Sequence, residues 1–530
     1  MRSATANRAI SLVVLVVAVA AAAGLAVWRH TVTVAAAAPQ PRLQSAPVDT
    51  AVRACPAPGL AGAPASQVAL IAGPGTAGAG RAVVNRIGVN TGAPLASVTQ
   101  PGALTVTGVR AAQAATHGKT APGKTAHGKT THSKTPSPSS SPSPSPTPAS
   151  QSVATVPAPG GVVIQASGAM ARGLEAEQVL PGGRVSARCD GPGTDFWFAG
   201  PGAFLVSHIQ LFLMNVGAQP ADVDVQAYTD AGPLQGSTDT GVAVAPHTMV
   251  TQSLEKMLHG TRMIALNVRT SVGQVVAAVE ETKGAAHGGA WLPASATPGT
   301  RVVIPGMPPT AGTRQLFIAV PGTQDAHITL SAVTSKGSYH PTGGGGLDIP
   351  GGSVAQLSLS SLSAIYGALE ISSTVPVTAS LLTPGGQRGT PGAFTGAAPP
   401  LAEQGVVATN VSSGGAASSL VLSAPWRAAR VRITEVGAGG GQGPAAPGKT
   451  VLVQAHHSLL QQLAVPPGTH RGSAFAVIVT PLPGSGPLYA GRVVVSSGRG
   501  GALQSILPVS SALTVVPLPG VQDELVTPGR

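Results

Sequence analysis

Two stretches of the chain, Leu211–Gly232 (LFLMNVGAQPADVDVQAYTDAG) and Leu316–Gly337 (LFIAVPGTQDAHITLSAVTSKG), align without a gap at an offset of 105 residues, and 8 of the 22 aligned positions are identical. Each opens on an apolar run and then alternates. Val223, Val225 and Ala227 interleave with Asp222, Asp224 and Gln226, and Ile328 and Leu330 interleave with His327, Thr329 and Ser331. Successive side chains of a strand point to opposite sides, so this period of two predicts strands with one buried and one solvated face. A strand pair that recurs at such a distance predicts a tandem array of small all-β units.

Working outward, the pattern P-x-x-x-V-x-x-x-x-x-x-x-L occurs at Pro246, Val250, Leu258; at Pro350, Val354, Leu362; and at Pro447, Val451, Leu459. A third unit also opens comparably, with Leu420–Pro425 (LVLSAP) before Val431 and Ile433. The runs Met263–Val268, Val275–Val279 and Phe475–Val479 are apolar enough for central strands. Short strands at this density, punctuated by Gly and Pro, predict immunoglobulin-like β-sandwiches. The alternative is a β-propeller built from the same repeats. In its favour, the final stretch Leu507–Pro519 (LPVSSALTVVPLP) resembles the unit opening at Leu292–Pro308, as though a last strand were left to close a ring. Upstream, Val68–Ala72, Ala82–Val89, Leu104–Val109 and Val162–Ala166 are strand candidates of a divergent N-terminal module.

Composition agrees. Of 530 residues, Gly (69) and Pro (49) exceed a fifth, while charged residues are 9% and aromatics 3%, which leaves little material for long solvated helices. The net charge of +12 arises from scarce acids as much as from abundant bases, so it does not predict a nucleic-acid partner.

Residues Ala9–Trp28 (AISLVVLVVAVAAAAGLAVW) hold no charge, and a helix of that length spans about 30 Å, one bilayer core. Arg2 and Arg8 precede it, which favours a cytoplasmic N-terminus. The expected organisation is a cytoplasmic tail (1–8), a transmembrane anchor (9–28), a stalk (29–50), an N-terminal β module (51–190) and three β repeats (191–300, 301–400 and 401–530, the last with a C-terminal strand). Cleavage as a signal peptide is the rival reading, and either places the body outside the membrane.

Within the N-terminal module, an insert at about 111–158 repeats HGKTA-like pentads and then runs into a Pro-Ser tract, setting Lys119, Lys124, Lys129 and Lys134 in register. Such a segment cannot bury a core, so the lysines are expected either to space and solubilise or to contact polyanions such as cell-wall polymers and acidic glycans. The stretches Gly118–Thr125, Gly123–Thr130 and Gly443–Thr450 match G-x-x-x-x-G-K-[ST], but a phosphate-binding loop needs a strand before it and a helix after it, so no nucleotide is expected.

The only cysteines are Cys55 and Cys189, and an oxidising location predicts a disulfide between them. The single apolar anchor, the Cys55-Pro56 pair near the module start, Cys189 followed by Pro192–Gly202 (PGTDFWFAGPG) and the tandem β units together resemble a family of membrane-anchored, secreted actinobacterial proteins of unknown function. The resemblance implies an envelope location and assigns no functional residue.

Few residues suggest chemistry. Asp222, Asp224 and Asp230 lack calcium-loop spacing and read as the wet face of a strand, and the adjacent His456 and His457 would point to opposite faces without companions for a metal. Glu280 and Glu281 read as solvated residues at a strand end, and Phe196–Phe198 as core with a sugar-stacking platform as the lesser alternative. No catalytic residue, cofactor or metal is expected. The functional expectation is a membrane-tethered, extracytoplasmic binding or structural protein of the cell envelope, the alternative being a hydrolase or carbohydrate-binding protein acting on envelope polysaccharide.

Overall fold

A computed structural model describes residues 44–518 apart from 57–64, 89–92, 111–159, 181–184, 235–240, 283–288, 387–391, 414, 438–447, 471 and 497–501. The expected anchor at 9–28 and all four comb lysines lie outside the described residues. Among those described, no helix is long and apolar enough to cross a membrane. Every long element described is a strand, and the one helix among the described residues is a single turn, Ser360–Leu362.

The strands fall into four modules with one strand order. The second module shows it: strands Asp195–Pro201, His208–Asn215, Ala221–Thr229, Thr248–Ser253, Met263–Val272, Val276–Thr282 and Gly289–Leu292 are numbered one to seven. Strand one pairs with five and five with three; strand four pairs with two, two with six, and six with seven. The first module repeats this with Thr50–Cys55, Ala65–Ile71, Gly80–Arg86, Leu104–Arg110, Val162–Gly168, Glu175–Val179 and Ser186–Arg188. The fourth repeats it with Gly405–Asn410, Ala416–Ala424, Ala429–Gly437, His457–Gln462, Phe475–Pro481, Tyr489–Ser496 and Leu503–Pro508.

In the third module, Gly299–Met307, Arg314–Ala319, Ala326–Thr334, Val354–Leu359 and Ala393–Gly396 keep positions one, two, three, four and seven. Positions five and six are fused into one strand, Gly367–Thr383. Its first half pairs with strands one and three and its second half with strand two.

The two sheets of each module face each other over one core. In the first module, Val68 and Leu70 of one sheet and Val84 and Ile164 of the other are fully buried in the same cluster. These are two-sheet sandwiches, as expected, with a strand order of their own. In an immunoglobulin domain strand one borders two and strand six borders three; here strand one borders five and six borders two.

One repeat expectation is corrected. Val250 and Val354 both lie in fourth strands, whereas Val451 lies in the short ribbon Lys449–Val453 beside strand three, so the third occurrence of the Pro-Val-Leu pattern is not structurally equivalent. The same ribbon holds Lys449 and Thr450 of the third phosphate-loop match, where a phosphate loop would require a helix.

Between Pro47 and Thr514 the modules contact one another in cyclic order, each offering its one-five-three sheet to the four-two-six sheet of the next. Ala54 and Val163 of the first module meet Phe212, Met214 and Val276 of the second. Phe317, Ala319 and Val354 of the third join the cluster of the second. Val303 and Val333 of the third meet Tyr489 of the fourth. The circle closes where Val406, Ala408 and Ala476 of the fourth meet Ala69, Ile71 and Leu104 of the first. The propeller alternative is corrected in its unit, because a blade is a single sheet of its own while consecutive strands here alternate between two. Separately, the final stretch does form an extra strand, Val515–Leu518, which pairs with Gln44–Pro47.

Candidate functional site

The seventh strands supply the place where all four modules converge. Ser186, Arg188, Asp190, Trp291, Phe394 and Leu507, at least one from each module, line a cavity of about 70 Å³ there. Ligand pockets occupy roughly 300–1,000 Å³, so this volume suits a few waters and not a sugar residue.

The charged groups around it are already engaged. Glu175 and Glu177 stand two apart on the sixth strand of the first module, and both are buried. Glu175 accepts hydrogen bonds from Arg188 at 2.6 and 2.9 Å and from Arg53 at 3.1 Å. Burial works to raise its pKa, but Arg188 and then Arg53 outweigh that and hold it below the ordinary value. Arg188 also stands 3.5 Å from Asp190, whose pKa burial raises in spite of that arginine. Cys55 and Cys189 are joined, with S–S 2.02 Å and Cα atoms 4.6 Å apart, tying the end of strand one to the residue after strand seven.

Glu177 reaches into the fourth module. Its carboxylate accepts a bond of 2.6 Å from the Ala408 amide, one from the Thr409 hydroxyl and one of 3.2 Å from Arg492. Arg492, 1% exposed, also donates to Ser186 at 2.6 Å and to Ser505. Burial lowers the arginine's pKa and Glu177 opposes that shift. The pair spans 315 residues of chain and fastens the first module to the last.

The other sequence candidates sit as follows. Asp222 and Asp224 lie on the partly exposed face of their strand, and Asp224 accepts a bond from the Gly241 amide. Trp197 and Phe198 are buried in the core, with Trp197 stacked on Tyr228 at 5.9 Å, while Phe196 packs against the core's edge. His456 is not in a strand: it takes a left-handed turn conformation (φ 63°), and His457 begins the strand after it. Among the described residues no group of three His, Cys, Asp or Glu could hold a metal ion.

Glu280 and Glu281 overturn their reading as solvated residues, being 1% and 3% exposed. The strand end is not free, since strand seven pairs beside it with Glu280 opposite Trp291 and Glu281 opposite Ala290, and Gly200 of the facing sheet lies close to the Glu281 carboxylate. Desolvation raises the Glu281 pKa well above the ordinary range.

Sequence reasoning missed Glu175, Glu177, Arg188 and Arg492. The available signal was their rarity. In a chain with 19 acids, Glu-Ala-Glu within an apolar segment (LEAEQVL, Leu174–Leu180) is out of place unless its charges are matched.

Modules that interlock in a circle, with their meeting point filled by paired charges and a disulfide, define a multi-sandwich all-β protein whose centre is a structural joint. The chain belongs to DUF5719, a family of unknown function, which matches residues 147–463. That span begins ahead of strand five of the first module and runs just past strand four of the fourth. No curated protein and no solved structure matches the chain.

Proposed function

We propose that this protein is a non-catalytic structural or binding element of the cell envelope, held at the membrane by residues 9–28 with its β modules outside. What carries the reading is the Glu177–Arg492 latch, which uses the convergence of four modules for cohesion where a substrate site would need open space. Disulfide bonding of Cys55 to Cys189 suits an oxidising, extracytoplasmic location. The 20 uncharged residues of Ala9–Trp28, following Arg2 and Arg8, suit a signal anchor with its N-terminus inside. The lysine pentads between strands four and five of the first module give the body a cationic appendage suited to anionic wall polymers. Protease added to intact protoplasts is expected to digest the β modules while sparing a short N-terminal fragment. Protection of the modules until the membrane is lysed would overturn the topology.

A further inference from the structure

In the second module, the connection between strands one and two is bonded to the connection between strands four and five. The Gly202 amide donates to the Arg262 carbonyl at 2.8 Å and the Phe204 amide to the Thr261 carbonyl at 2.9 Å. The Thr261 amide in turn donates to the Leu258 carbonyl at 3.1 Å. Two loops tied this way hold their side chains in place. What they present is unusual for a water-facing turn: Phe204 is 61% exposed, the most of any large apolar residue described, and Leu205 beside it is 36% exposed.

Basic side chains belong to this pair of loops. The Arg262 guanidinium lies 5.1 Å from the centre of the Phe204 ring, and Lys256 and His259 are exposed on the same pair of loops. The one acid there, Glu255, is bonded to His208 at 3.2 Å and to the Ile209 amide.

An anionic polymer would match the cations and leave Phe204 and Leu205 unexplained, whereas an apolar partner would leave Lys256 and Arg262 unexplained. A bilayer interface satisfies both, because aromatic and aliphatic side chains enter the boundary layer while Lys and Arg stay level with the phosphates. We infer that this tip rests on a bilayer surface containing anionic phospholipid, with Phe204 and Leu205 in the interfacial layer and Lys256 and Arg262 at the headgroups. The inference builds on the tethered topology proposed above.

The test uses the full-length chain in lipid nanodiscs with p-benzoylphenylalanine in place of Phe204, irradiated and analysed by mass spectrometry. Discs of phosphatidylcholine alone are compared with discs that also contain phosphatidylglycerol. The control places the same probe at Val272, 55% exposed at the other end of the strand Met263–Val272, about 30 Å away by strand rise. Lipid adducts are expected at 204 and not at 272, on the order of tenfold more abundant in the anionic discs. They should be lost in the Lys256→Glu/Arg262→Glu variant. A chain that co-elutes with the discs but gives no lipid adduct at 204, or links 204 to a second copy of itself, refutes the contact and leaves the tether standing. A chain that does not co-elute with discs refutes both.

Discussion

Arg492 brings a positive charge into a site that is almost closed to water, and Glu177 is its only ionic partner among the described residues. Removing one member of such a pair strands the other, which typically costs about 3–5 kcal/mol, whereas replacing both with neutral side chains of similar size costs much less. Arg492→Met is therefore expected to lower unfolding stability in urea by about 3–5 kcal/mol, and Arg492→Met with Glu177→Gln to recover more than half of it. Equal losses in the single and double variants would show that the pair is not coupled. Glu281 poses the opposite problem, a buried carboxyl whose pKa is raised by desolvation, with no partner for its Oε1 among the described residues. A pKa higher in the folded than in the unfolded chain means that folding favours the protonated acid. Its contribution is complete below the ordinary glutamate pKa and is lost as pH rises through the elevated folded value. Glu281→Gln should flatten that part of the melting temperature against pH curve, and an unchanged slope would remove Glu281 as its source.

At the scale of the strand, outer and inner elements differed in how plainly they could be read. Ala221–Thr229 has buried Val223 and Val225 between partly or fully exposed neighbours, so its alternation was visible in the letters. The second strand of the same module, with Leu211, Phe212, Leu213 and Met214, shows no period. Leu211 and Leu213 fill the core of the module while Phe212 and Met214 pack on the first module. Phe475–Val479 is uniform for the same reason: Phe475, Val477 and Val479 point inward and Ala476 and Ile478 toward the first module. A sheet buried on both faces erases the contrast on which pattern reading depends, so strands could be located while the packing between modules could not. Glu177 and Arg492 were illegible for a related reason, since 315 residues separate them and only the cyclic packing makes them neighbours. The insert is another matter of elements: it connects strands four and five of the first module, Leu104–Arg110 and Val162–Gly168. Deleting residues 116–135 is expected to leave the melting temperature unchanged and to reduce salt-sensitive binding to isolated cell walls. Undiminished binding would reassign those lysines to spacing and solubility.

For the whole molecule, circular packing changes what truncation does. In a linear array of repeats each unit contacts only its neighbours, so loss of a terminal unit exposes one interface and the rest stays folded. Here removal of residues 401–530 would uncover Ala69, Ile71 and Leu104 of the first module and Val303 and Val333 of the third together, and would also leave Glu177 without Arg492. The shortened chain is expected to be recovered as aggregate, and a soluble monomer in gel filtration would count against closure of the circle. The disulfide acquires a different meaning in this setting. Cys55 lies before the insert and Cys189 after it, so the bond encloses the low-complexity segment. A cut anywhere between residues 111 and 159 divides the polypeptide but does not separate the β modules from the residues before Cys55, because the stretch before the cut remains covalently fastened to the stretch after it. Residues can thus be lost from the 111–159 segment by proteolysis while the chain on both sides of it stays in one covalent molecule.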